Sequence, residues 1–502
     1  MQPQQAELFA KMDSWIQEHR ERMTQDLVKL IGFQTVSGAS DPEEQKLFQN
    51  ELSRAFLFLN NLAREIGLKW RNFDGRLVTL ELPGTGPEVI GLPLHIDVVP
   101  AAEGWRFPAF GGMIEEGTLY ARGVQDDKGP IIQMLYAVWA LKQLGVPLRR
   151  SIRMIIASQE ETGKWDDIEM YLEKEQAPDF SIVSDSDFPI VNGEKGMVDI
   201  QIEFKWGRQA ACPGSADFVE LVSGERSNVV PNRAEIVWSA QEGQVKDISA
   251  TLTRSLEEYL KRRPKADTFP LQAEAGTGKE KQLRMTFLGK SSHASAPWDG
   301  HNAALDALGF LACAPGIPEA PSRVARFLSE SCQDCYGGGL RLAREHDFIG
   351  KTTISLDVLN LRADSATATI NIRPTFGSTP EEVLQTVQSV AAAWAAQTGI
   401  ETTVAFSGKP HAPLFVDPDQ HLELIEALST AFTQITGAPA TRRSMGGTTF
   451  AKAFPNALSF GPVFKDEETH LAHQADECLK IDHLVRNVRI YALALVQLAT
   501  GE

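Results

Sequence analysis

The sequence predicts an α/β fold, a domain with a central, mostly parallel sheet that is split by an inserted α+β domain. Three observations predict it. Through residues 1–197, short and nearly continuous apolar strands alternate with helical segments, the pattern of a sheet covered on both faces. Through 198–408 the strands and helices turn amphipathic and Gly/Ala-rich loops separate them. Over 409–502 the first style returns. A chain of 502 residues is long enough for two or three domains.

The elements follow in order. Leu8, Met12, Trp15 and Ile16 recur at helical spacing within a polar segment, so 1–30 is read as a helix. A second helix is expected over 43–67, then short strands at 69–73 and 77–82. The stretch 89–99 is apolar enough for a central strand, with His95 and Asp97 near its far end. A helix follows at 131–144. A buried strand at 151–157 runs into Glu160-Glu161, and another at 180–184 ends on Asp185. In the insertion, strands are expected at 198–204, 284–288 and 367–372, with helices at 248–261, 302–311 and 380–397. Helix 420–437, a glycine turn at Gly446-Gly447-Thr448, a strand at 458–460 and helix 482–498 complete the chain.

Composition excludes several classes of function. A net charge of −17 argues against nucleic acid and anionic membranes as partners, since like charges repel. No N-terminal signal pattern and no bilayer-length apolar run is evident, which leads us to expect a cytoplasmic protein. The five cysteines, Cys212, Cys313, Cys332, Cys335 and Cys478, are too few and too scattered for a disulfide framework. Cys332 and Cys335 have CxxC spacing, but no second pair answers them, so they read as unrelated thiols.

The chemistry gathers at strand ends. Leu119-Tyr-Ala-Arg-Gly-Val-Gln-Asp-Asp-Lys-Gly-Pro130 reads as strand, turn and helix start, with Asp126 and Asp127 side by side. Adjacent acids there repel unless a cation stands beside them, although alone they also suit an acidic helix start. His95, Asp97, Glu160, Glu161 and Asp185 all follow the C-terminal ends of apolar strands, where open α/β sheets bind ligands. Carboxylates converging with imidazole call for one or two metals such as zinc, cobalt or manganese. The region His470-Leu-Ala-His473-Gln-Ala-Asp-Glu477 is the best source of a second imidazole. Asp97 suits a partner that orients the His95 ring. One of Glu160 and Glu161 would bind metal while the other serves as general base.

Taken together, Leu94-His-Ile-Asp-Val-Val-Pro100, Ala121-Arg-Gly-Val-Gln-Asp-Asp-Lys-Gly-Pro130, Ser158-Gln-Glu-Glu-Thr-Gly163, Ser184-Asp-Ser-Asp-Phe-Pro189, Asn192-Gly-Glu-Lys-Gly196 and His473-Gln-Ala-Asp-Glu477 resemble the signature of the di-zinc metallopeptidase family of carnosinases, aminoacylases and glutamate carboxypeptidase. Within it the chain most resembles the PepV-type bacterial dipeptidases, over about residues 27–498. The resemblance implies a split phosphorylase/hydrolase-like catalytic domain with an inserted lid. It implies two divalent metals, zinc first and manganese or cobalt as alternatives. His95 and Asp185 would hold one metal, Glu161 and His473 the other, with Asp126 bridging and a cis peptide between Asp126 and Asp127. Glu160 would be the general base toward a water between the metals, and Asp97 the support behind His95.

Gly289-Lys-Ser-Ser-His293-Ala-Ser-Ala-Pro297 resembles the motif whose histidine stabilises the oxyanion. Asn371-Ile-Arg373-Pro374 resembles the segment whose arginine binds the substrate carboxylate. Asn228, Gly446, Gly447 and Thr448 match other substrate-contacting segments. The insertion is about twice the length found in dimerising relatives, which implies a monomer. The expected function is hydrolysis of dipeptides. A relative acting on N-acyl amino acids, or a non-catalytic binding protein on the same fold, are the alternatives. Gln159, where aspartate is common, and Lys164 bear on substrate preference rather than chemistry.

Overall fold

The apolar strands of the first and last segments pair as a nine-stranded mixed sheet. The computed structural model describes residues 3–101, 103–207, 217–240, 245–262, 272–277 and 282–501, and these divide into two units. The first comprises Met1–Gly193, Leu414–Ser444 and Thr449–Glu502. Its sheet runs Lys69–Phe73, Leu77–Leu82, Ser151–Ala157, Val89–His95, Phe180–Val183, Ala457–Ser459, Ile190–Glu194 and Leu414–Phe415, with Arg442–Met445 also on Ile190–Glu194. The four strands from Ser151–Ala157 to Ala457–Ser459 are parallel, and they are flanked by antiparallel pairings on either side. Parallel strands need both faces covered. Helix Lys128–Gln143 supplies part of that cover and is buried on every side from Lys128 to Leu141, packed in turn under helix Ile481–Thr500.

Local chemistry sets the ends of these elements. Helix Pro42–Ile66 starts where the Asp41 carboxylate accepts from the amides of Glu43 and Glu44, and it stops at Gly67 in the left-handed region. The N-terminal segment forms two helices, Pro3–Glu18 and Arg20–Ile31, where one was expected. His19 separates them, stacking on Trp15 with ring centroids 3.9 Å apart and placing its Nδ1 2.8 Å from the Trp15 carbonyl. The central strand ends at His95 rather than at residue 99. Beyond it the backbone leaves the strand, and the Val98 amide bonds the Thr35 carbonyl at 2.9 Å.

The second unit, Glu194–Pro413 with Met445–Thr448, is built on an eight-stranded sheet. Its order is Gln272–Thr277, Gln282–Leu288, Arg233–Ser239, Asp217–Ser223, Thr353–Arg362, Ser365–Arg373, Val198–Lys205 and Glu401–Phe406, and every pairing is antiparallel. Val198, Ile200, Ile202 and Phe204 are buried while the residues between them are not, the alternation of a sheet packed on one face. Helices Val245–Arg262, Ala303–Leu311, Glu319–Cys332 and Pro380–Thr398 contribute to the same core. Pro380–Thr398 begins in a Thr379–Glu382 capping box. Cys313, Cys332, Cys335 and Cys478 are free thiols, and Cys212 lies outside the described residues. Among the described residues no helix is long and apolar enough to cross a membrane.

Candidate metal centre

Three neighbouring parallel strands deliver the polar groups to one end of the first unit's sheet. His95 is the last residue of its strand, Glu160 and Glu161 follow Ser151–Ala157, and Asp185 follows Phe180–Val183. Asp126 and Asp127 stand at the start of the buried helix Lys128–Gln143, joined by a cis peptide bond. Two glycines make that turn possible. Gly123 has φ +85°, and a Cβ on Gly129 would lie 2.0 Å from the Val124 carbonyl oxygen.

Two groups of ligating atoms result, and they share one residue. His95, Asp126 and Asp185 form the first group, and Asp126, Glu161 and His473 the second, with the ligating atoms of each within 4.8 Å of one another. His95 Nε2 lies 2.8 Å from Asp126 Oδ1 and 3.9 Å from Asp185 Oδ2. His473 Nε2 lies 3.1 Å from Asp126 Oδ2 and 2.9 Å from Glu161 Oε2. Each oxygen of Asp126 thus faces a different imidazole. Of the two histidines in the C-terminal motif, His473 joins the cluster, while His470 pairs with Asp187 at 2.9 Å. Glu160 belongs to neither group.

The surrounding residues hold this arrangement. The Asp97 carboxylate accepts from the amides of Glu160 and Glu161, each at 3.2 Å, which ties the glutamate turn to the His95 strand. His95 Nδ1 meets the Asp97 carbonyl oxygen at 3.0 Å, with the carboxylate farther away at 3.6 Å. An N–H at Nδ1 donating to that carbonyl leaves the Nε2 lone pair directed at the acids. Asp127 Oδ2 accepts from the His95 amide at 2.9 Å, so the second acid of the pair braces the turn. Glu477 was quoted in the sequence motif without a role. It is fully buried and accepts from Arg122 Nη1 at 2.6 Å and from the amides of Gly123, Gln125 and Asp126, which fastens the His473 loop to the Asp126 turn. Gln159 accepts from Arg76 Nη2 at 3.2 Å.

The electrostatics call for cations. Burial raises Asp185, Glu160 and Glu161, and the Asp126 carboxylate beside them pushes all three further up. Burial also opposes charging the imidazoles, but carboxylate hydrogen bonds outweigh it. His95 is held well above its ordinary value and His473 is pushed up to about 11. Protons are thereby drawn to the nitrogens where a metal would sit. Among the described residues, buried His95 Nε2 and Asp126 Oδ1 face each other at 2.8 Å without good hydrogen-bond alignment, and Glu161 Oε1 is buried with no hydrogen-bond partner. Buried polar atoms rarely go unsatisfied, and imidazole nitrogen and carboxylate oxygen are ligands for zinc and its neighbours. The residues fit divalent metal ions.

The second unit gathers the substrate-contacting segments expected from sequence. Arg373, 2% exposed, donates from Nε to Asn371 Oδ1 at 2.9 Å and from Nη1 to the Gly446 carbonyl at 3.3 Å. The Gly446 turn lies against the His293 loop, where a Cβ on Gly446 would stand 2.9 Å from Ser295 Cβ. Val229 bridges His293, and the Ala294 amide bonds the Asn228 carbonyl at 2.9 Å. Gly447 and Thr448 continue the same turn. His293 Nδ1 accepts from the Ser295 amide at 3.2 Å and sits 2.7 Å from its hydroxyl. A neutral ring with Nδ1 as acceptor carries its proton on Nε2.

Residues 91–497 match the family described as Peptidase family M20/M25/M40. The chain is 29% identical over 482 residues to a Bacillus subtilis (strain 168) protein named "Putative dipeptidase YtjP", covering 96% of this chain and 98% of that one. In fold it is similar to human carnosine dipeptidase 1, with a TM-score of 0.60, 16% identity and coverage of 98% and 99%. It is also similar to the Saccharomyces cerevisiae di-peptidase Dug1p, with a TM-score of 0.59, 16% identity and the same coverage.

Proposed function

We propose, on the premise that this chain belongs to peptidase family M20/M25/M40, that it is a dipeptidase working with two zinc ions. Membership makes it a hydrolase of peptides whose site takes divalent metal ions. The observation that carries the finer reading is the shared aspartate. Asp126 offers one oxygen to the His95 group and the other to the His473 group, as a bridge between two ions requires. When bound, two such ions supply Lewis acidity toward the peptide carbonyl and toward water.

The chain's own residues would do the rest. Glu160, raised above the ordinary carboxylate range by burial and neighbouring acids, is well matched to take a proton from the attacking water. The same carboxyl then gives the proton to the leaving amine. Glu161, Asp185 and the two imidazoles serve as ligands, and Asp97 keeps Glu160 and Glu161 in register. His293, with its proton on Nε2, suits a donor to the oxyanion. Arg373 suits the substrate carboxylate, since its charge is buried and, among the described residues, no carboxylate lies within ion-pair distance of it. Asn228, Gly446, Gly447 and Thr448 would complete the contacts. The near full-length likeness to a protein carrying a dipeptidase name favours dipeptides over N-acyl amino acids. We place the enzyme in the cytoplasm as a monomer.

Steady-state kinetics on a panel of dipeptides and N-acetyl amino acids tests this reading. Zinc-loaded enzyme should cleave the dipeptides, and Glu160→Ala should keep its metal while losing turnover. Cleavage of acylated amino acids alone would sink the dipeptide assignment, and retained turnover in Glu160→Ala would sink the base.

A further inference from the structure

Arg373, offered above for the substrate carboxylate, is linked to an acid through an amide. Its Nε donates to Asn371 Oδ1 at 2.9 Å, and Asn371 Nδ2 donates onward to Asp199 Oδ1 at 2.6 Å. The other oxygen of Asp199, Oδ2, accepts from the Ser227 hydroxyl at 2.6 Å. A relay of four residues thus runs from a hydroxyl to the guanidinium, all of it inside the second unit.

The sheet builds this relay. Asn371 and Arg373 lie two residues apart on strand Ser365–Arg373, so both side chains leave the same face. Asp199, on Val198–Lys205, is the antiparallel partner of Asn371, which sets the two side chains next to each other on that face. The opposite face carries Val198, Ile200, Ile370 and Ile372 into the apolar core. Asn371 and Arg373 are 1% and 2% exposed, so water cannot stand in for a lost partner.

Donor counting fixes the direction of the relay. A guanidinium only donates and an ionised carboxylate only accepts. Asn371 must therefore turn its oxygen to Arg373 and its amide nitrogen to Asp199, and each end enforces the same orientation. Nη1 of Arg373 is held separately by the Gly446 carbonyl at 3.3 Å. Two neutral acceptors thus set the plane of the guanidinium without neutralising it. A carboxylate in direct contact would have occupied the fork that a substrate needs. Burial lowers Arg373, and the charges of Asp199 and Asp357 oppose that fall from a distance.

We propose that Asp199 is a positioning residue which, through Asn371, holds the Arg373 fork in place for the α-carboxylate of the substrate. The assignment rests on the dipeptidase reading above. Asp199→Asn is the test, because an amide there can donate to Asn371 Oδ1 and let Asn371 turn its own nitrogen to Arg373, donor against donor. With metal-loaded enzyme and Ala-Ala, this variant should raise KM about tenfold, the scale of a hydrogen bond to a charged group, and change kcat by less than about threefold. KM does not depend on the fraction of enzyme that folds. Asn371→Ala should raise KM by a similar factor. Combined with Arg373→Ala, neither change should deepen the loss that Arg373→Ala causes alone, as for residues that act only through the arginine. An unchanged KM, a loss confined to kcat, or losses that multiply in the double variants would overturn the inference and leave the dipeptidase reading in place. If wild type cleaved no dipeptide, that reading would fall and the inference with it.

Discussion

The two units pose opposite electrostatic problems. At the strand ends of the first, Asp126, Glu161 and Asp185 converge with two imidazoles whose charged forms are favoured by hydrogen bonds to carboxylates. In the second, Arg373 is buried with no carboxylate within ion-pair distance among the described residues. Among the described residues, the first site is short of positive charge and Arg373 has no carboxylate in contact. Each deficit names its ligand, divalent cations for the first and a carboxylate for the second. Fold stability alone explains neither, because buried charge without a partner costs free energy.

Asp126→Ala is the sharpest way to break the first half of this contrast. Removing the shared ligand should reduce bound metal from two ions per chain to less than one and abolish turnover, as measured by elemental analysis alongside kinetics. Glu160→Gln separates chemistry from metal binding. It should lower kcat by about 10²–10⁴-fold, the usual range for a general base, with metal content unchanged.

The second half is probed by Arg373→Ala. It should lower kcat/KM for dipeptides by about 10–100-fold while leaving metal content intact, the loss of a charge-assisted contact worth about 1.5–3 kcal/mol. The smallest effect expected is on stability. Burial holds Asp357 at about 8, far above its ordinary value, so the folded state favours the protonated acid. That contribution is complete below about pH 4, fades as pH rises, and is lost above about pH 8. Asp357→Asn should therefore flatten the pH dependence of unfolding, with a relative gain over wild type of about 1–3 kcal/mol at pH 9, read from denaturant melts.

How legible this was in the sequence differed between residues for physical reasons. The parallel strands announced themselves as apolar runs, and His95, Glu161 and Asp185 were visible because the polar residues begin where those runs end. Strands Lys69–Phe73, Leu77–Leu82 and Ser151–Ala157 fall where periodicity put them. The break at His19 was not visible, since no glycine or proline marks it and the interruption comes from a ring turned onto its own helix. Glu477 was hidden differently. Its partners, Arg122 to Asp126, are more than 350 residues away along the chain, and only the fold brings them together. The position of its motif beside His473 was the one available signal. Asp97 was read as the brace behind His95, and its carbonyl meets that ring at Nδ1; what the sequence did not show is that its carboxylate also secures the backbone of Glu160 and Glu161.

Metal titration of chelator-stripped enzyme tests the central claim most directly. With an Ala-Xaa dipeptide as substrate, activity should be absent in the stripped protein and return with zinc, reaching its plateau at two equivalents per chain. Hydrolysis that survives stripping, or a plateau at one equivalent, would contradict the account.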